Sequence, residues 1–150
     1  MSLAEEVELL KRIPLFANID TSKLKLLAFT SERVRFPAGQ VLCRQGEIGR
    51  AAFIIIGGEA DVIIDTENGP LTVASVGRND FVGEIAILCD VPRTATVQAR
   101  TDVTALVIAK DQFFRMITEF PQMAIEIMRV LALRLERTTK EAARARQNAA

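Results

Sequence analysis

Between Val34 and Ala109 the chain breaks into short β-type runs punctuated by glycine, and that rhythm limits the fold more than any other feature. The runs are 41–43, 53–56, 60–64 and 71–76, with two more at 94–100 and 103–109. Turn signals fall between them at Pro37-Ala38-Gly39, Gly46, Gly57-Gly58 and Asn68-Gly69. Asn68-Gly69 is the sharpest hairpin cue, because both residue types tolerate positive φ. Short strands at even spacing predict an antiparallel sandwich or roll rather than a parallel sheet.

Helical patterns flank this region. Residues 4–12 read as a short amphipathic helix ended by Pro14. Asp20, Thr21 and Ser22 are N-cap candidates for a second helix through about Thr30. Its apolar residues Leu24, Leu26, Leu27 and Phe29 are crowded, which predicts packing on the next element. A long last helix starts near Pro121, a good first-turn residue, and extends past Ala142. The expected class is α+β: an antiparallel β-roll of about eight strands, jelly-roll-like (a double-stranded β-helix), with helices at both ends. One domain is expected over 1–150, with N-terminal helices to 30, the roll over 31–110 and a helical segment over 111–150.

Composition removes several classes. The chain has no histidine, so His-dependent nucleophiles and His-based zinc or iron sites are excluded. An enzymatic β-roll would lack its usual metal ligands, and no cofactor is expected. Lys+Arg and Asp+Glu are equal at 19 each, so no global basic field points to nucleic acid. No apolar run reaches the roughly 18 residues of a membrane span. The start, Met1-Ser2-Leu3-Ala4-Glu5-Glu6, lacks a signal peptide's basic residues, which favours the cytoplasm. Cys43 and Cys89 have apolar neighbours and read as buried free thiols.

The segment Phe81 to Val97 carries the chemistry. Gly83 opens a short apolar helical turn, so free backbone N–H groups can face a phosphate. Glu84 can accept from a sugar hydroxyl. Arg93, nine positions later, can supply a fork of donors to phosphate oxygens. Alone, Glu84 reads as a helix-start glutamate favoured by the dipole. Arg93 amid apolar residues would be costly if partly buried and unpaired, which a phosphate would relieve.

Phe81-x-Gly83-Glu84 followed by Pro92-Arg93-Thr94-Ala95-Thr96-Val97 resembles the phosphate-binding cassette of the cyclic nucleotide-binding domain family. The resemblance extends from about Leu15 to Thr139, and Gly39, Gly46, Gly58 and Gly83 fall where family members turn. Arg50 departs from the pattern, since an acidic residue commonly stands there; as a loop position it should matter little. The resemblance implies that Glu84 holds a ribose 2′-hydroxyl. It implies that Arg93 meets the cyclic phosphate, with N–H groups of Ile85, Ala86 and Ala95 nearby. Thr94 would bond the phosphate or a guanine amino group and is compatible with both cAMP and cGMP. Val62, Val73 and Val76 match positions that wall the base and ribose.

In the last helix Ala124, Met128, Leu131, Leu135, Thr138, Ala142 and Ala145 repeat at spacings of four and three. Such a stripe packs either on its own domain or against a second chain. Residues 134–140 resemble the dimer helix of Crp/Fnr regulators, which implies that Arg134, Thr138 and Thr139 cap the base and that the chain forms a homodimer there. Lys140 to Arg146 is mildly basic but interrupted by Glu141, and reads as a solvated face rather than a DNA arm. The expected function is a cyclic nucleotide sensor that moves its C-terminal helix and runs no reaction. Two alternatives are the sensor half of a Crp/Fnr regulator without its DNA-binding helix-turn-helix, and an interaction module with a non-binding pocket.

Overall fold

The computed structural model describes residues 2–13 and 16–149; Pro14, the expected stop of the first helix, lies outside them. Helix α1 (Leu3–Lys11) is capped by Ser2, whose hydroxyl accepts from the Glu5 N–H at 3.2 Å. Glu5 and Glu6 in its first turn suit the helix dipole. Helix α2 (Thr21–Thr30) packs on α1. The crowding of its apolar residues resolves into one buried side: Leu24 and Leu27 are buried, while Leu26 and Phe29 face solvent.

Among the described residues eight strands follow: β1 (Glu32–Phe36), β2 (Val41–Cys43), β3 (Ala51–Gly57), β4 (Ala60–Thr66), β5 (Gly69–Val76), β6 (Phe81–Val82), β7 (Thr96–Ala99) and β8 (Val103–Ala109). They form two antiparallel four-stranded sheets, ordered β1-β8-β3-β6 and β2-β7-β4-β5. This is the expected β-roll. The β1-β8-β3-β6 sheet is covered on both faces. Ala52, Ile54, Phe81, Leu106 and Ile108 pack under the helices. Phe53, Ile55, Val82, Val103 and Ala105 pack toward the other sheet. Double burial explains why β3 and β8 are nearly continuous apolar runs rather than alternating ones.

The second sheet buries one face, and its edge strand β5 is exposed over most of its length. The β4–β5 turn centres on Glu67 and Asn68, and among its residues only Gly69 has positive φ, at 103°. Asn68 needs no left-handed conformation because Gly69 supplies the reversal. Thr66 Oγ1 reinforces the turn by donating to the Gly69 carbonyl at 2.7 Å. A bulge between Val62 and Ile63 leaves Val73 without a partner across the ladder.

The expectation of two buried thiols is corrected: Cys43 is half-buried and Cys89 is exposed. Cys89 falls on the C-terminal cap of helix α3 (Glu84–Leu88), whose buried side is taken by Ala86 and Ile87. The expected strand at Thr94 begins instead at Thr96. Two helices close the fold, α4 (Lys110–Glu119) and α5 (Pro121–Ala149). Pro121 opens α5 as expected. Met123 and Ile127 dock α5 on the body, and from Ala132 to Asn148 it is exposed except at Arg134.

Candidate functional site

The site is built where β6 turns into α3. Gly83 stands at the helix N-cap with φ 84°, a left-handed conformation that few side chains adopt. A Cβ there would lie 2.6 Å from Arg93 Nη1, so both backbone and space demand glycine. The first-turn N–H groups, including those of Ile85 and Ala86, have no partner within the helix. Asp90, at φ 52°, reverses the chain, and Val91 N–H donates back to the Ala86 carbonyl at 3.2 Å.

That return delivers Arg93 to the core, where it is 7% exposed. Its Nη1 donates to the Gly83 carbonyl at 2.9 Å and its Nη2 to the Ala51 carbonyl at 2.6 Å. The guanidinium sits over the Phe53 ring, 5.6 Å from the centroid. The expectation that Arg93 needs a phosphate to avoid being unpaired is therefore corrected, because two main-chain oxygens already hold it. Guanidinium carries five N–H donors, so these two bonds do not exhaust it.

Glu84 is 2% exposed. Its carboxylate pairs with Arg134 Nη1 of α5, and Arg134 Nη2 donates to the Phe81 carbonyl at 2.5 Å. Burial pushes the Glu84 carboxyl above the usual range, and Arg134 followed by Arg93 pulls it back. Arg134, fifty positions along the chain, thus ties α5 to Glu84.

The other expected residues fall around this centre. Val62 and Val76 pack along the inner face of the β2-β7-β4-β5 sheet. Val73 sits on the bulge and is 48% exposed. Thr94 is exposed and Ala95 half-buried on the approach to β7. Thr138 and Thr139 are exposed, and their hydroxyls donate to their own helix, to the Arg134 and Leu135 carbonyls at 2.9 Å each. The structure therefore brings Gly83, Glu84, Ile85, Ala86, Arg93 and Arg134 together, and leaves the two threonines further along α5.

Three contributors escaped the sequence reading. Ala51 acts through its carbonyl, which no side-chain pattern reveals. Phe53 reads as an ordinary strand residue. Cys43 on β2 feels the same guanidinium: burial pushes its thiol up, while Arg93 pulls it down.

Residues 33–120 match the cyclic nucleotide-binding domain family. The chain belongs to that family. It is 32% identical over 108 residues to a cAMP-dependent protein kinase regulatory subunit from Aspergillus niger, covering 72% of this chain and 26% of the relative. It is 30% identical over 137 residues to a CRP-like cAMP-activated global transcriptional regulator from Mycobacterium tuberculosis, covering 91% and 61%. The chain thus spans about a quarter of the first relative and three-fifths of the second. Among solved structures, the Thermus thermophilus catabolite activator protein aligns with a TM-score of 0.79 at 25% identity, over 86% of this chain and 61% of that one. The domain has the β-roll with N-terminal helices and long C-terminal helix that these comparisons share.

Proposed function

We propose that this cyclic nucleotide-binding domain is a regulatory sensor for cAMP or cGMP, runs no reaction, and reports ligand through α5. The observation that carries this reading is a buried cation and a buried carboxylate meeting at Gly83. Arg93 bonds the Gly83 carbonyl, and Glu84 follows it in the chain. A cyclic phosphate suits Arg93 and the N–H groups of Ile85, Ala86 and Ala95. A ribose 2′-hydroxyl suits Glu84, and Val62, Val73 and Val76 wall the base and sugar. The names of both curated relatives mention cAMP, which supports it as the first ligand to try.

Glu84 is also the residue that α5 grips through Arg134. A ribose reaching Glu84 therefore acts on the contact that seats the helix. Ligand moves the helix equilibrium only as far as it favours one placement over the other. Thr138 and Thr139 join by turning their hydroxyls from the helix to the base. The exposed α5 stripe serves a homodimer. No described helix is long and apolar enough to cross a membrane; the reading places the domain in the cytoplasm. The match to the M. tuberculosis regulator over 137 residues favours one second reading, the sensor half of a transcription regulator.

Calorimetric titration of unfolded and refolded, nucleotide-free protein with cAMP and cGMP tests the proposal. The expected result is micromolar or tighter cAMP binding, with cGMP within about two orders of magnitude. No saturable heat at millimolar nucleotide would sink it.

A further inference from the structure

The loop between β2 and β3 lies outside the cassette, yet it touches Arg93 from backbone to guanidinium. Gly46 N–H donates to the Arg93 carbonyl at 2.9 Å, and Arg93 N–H donates to the Glu47 carbonyl at 2.8 Å. Ile48 forms a bridge with Pro92. At the loop's far end the Ala51 carbonyl takes Arg93 Nη2. Gly49 is buried between these contacts. It is not among the glycines with positive φ, so its backbone would accept alanine without strain. Space is what excludes a side chain. A Cβ on Gly49 would lie 2.5 Å from Ala86 Cβ, 3.3 Å from Arg93 Cζ and 3.4 Å from Arg93 Nε. Two carbons normally rest about 3.5–4.0 Å apart, so the first contact cannot stand.

We infer that Gly49 is a positioning residue for Arg93. Its missing side chain leaves a slot between the loop and α3. In that slot the guanidinium lies over Phe53, and α3 stays close enough for its N–H groups and Arg93 to share one phosphate. An alanine must push α3 outward or drive the guanidinium aside, and either movement separates donors that converge on one anion. The inference rests on the sensor reading above for its ligand, but the slot exists in the ligand-free protein.

The test compares the parent chain, Gly49→Ala, Ala86→Gly and the double variant. The readouts are cAMP affinity by calorimetry, melting temperature, and the Arg93 Nε–H signal in nitrogen-15 NMR. Gly49→Ala should bind cAMP on the order of tenfold more weakly, the loss of one charge-assisted hydrogen bond. The Arg93 Nε–H signal, sharp in the parent, should broaden or average out. Ala86→Gly keeps the backbone N–H and removes the colliding methyl, so the double variant should regain most of the loss relative to Ala86→Gly alone. Parent-like affinity in Gly49→Ala overturns the inference. So does a loss that Ala86→Gly leaves uncorrected, or a Gly49→Ala chain altered only in melting temperature. A parent chain that takes up no cAMP defeats the sensor reading instead, and the Arg93 Nε–H signal then decides the slot by itself.

Discussion

Arg93 is bonded twice before any ligand arrives, so its loss acts on stability as well as affinity. Arg93→Leu takes a charged donor from the Gly83 and Ala51 carbonyls, and the ligand-free protein should lose about 1–3 kcal/mol in denaturant titration. Affinity for cAMP should fall by roughly 2–4 kcal/mol, read by calorimetry. Unchanged stability would mean that water satisfies both carbonyls. Glu84 makes a pH prediction. Burial raises its pKa above that of the unfolded chain, so the native state holds the proton more tightly. The associated stability is full below the unfolded glutamate value and is lost as pH rises through the raised folded value. Against Glu84→Gln, the parent should therefore be relatively most stable in acid and decline across that window. Parallel stability curves for the two chains would refute a raised pKa. Both residues were legible in the sequence, because the cassette string names them. Their partners were not: carbonyls carry no side-chain signature, and Arg134 is fifty positions from Glu84.

At the level of elements, α5 reaches the cassette carboxylate through Arg134, beside the apolar packing of Met123 and Ile127 in the cluster that holds Phe81 and Ile87. Truncation before Arg134 would leave the Glu84 carboxylate buried and unpaired. The expected loss is up to about 3 kcal/mol, reduced from a fully buried pair because Arg134 is 36% exposed. Thermal melting measures it, and adding Glu84→Gln to the truncated chain should restore most of the loss. A truncated chain as stable as the parent would show that the pair contributes nothing net. The punctuated strands and the Pro121 start of α5 were readable because glycine and proline mark breaks. Helix α4 was not read as an element of its own. β8 runs straight into it from Ala109 to Lys110, with no glycine, proline or capping side chain at the junction. The bulge at Val73 was equally hidden, since pairing with β4 creates it.

For the whole molecule, the open question of assembly lies along α5. Met128 and Leu135 stand exposed on a stripe that continues through Thr138 and Ala142. Medium and small residues with a threonine among them make a weak seam alone. A modest dimer is expected, with association that tightens when nucleotide engages Arg134, Thr138 and Thr139. Linkage then requires dimerisation to raise cAMP affinity by the same factor. Sedimentation velocity across a concentration series, with and without cAMP, checks this; an unchanged monomer in both would leave α5 as a cover on its own domain.

The sequence by itself determined the β-roll, the residues of the cassette and the helices at either end. Local rules govern all three: glycine sets turns, apolar runs set strands, and a contiguous string sets the turn that opens at Gly83. Tertiary structure alone decided that Arg93 rests on two carbonyls and Phe53, that Glu84 answers to Arg134, and that Gly49 must lack a side chain. Those facts depend on which surfaces meet when the loop, cassette and last helix fold together. Proximity of that kind is created by packing between distant segments, and no local pattern encodes it.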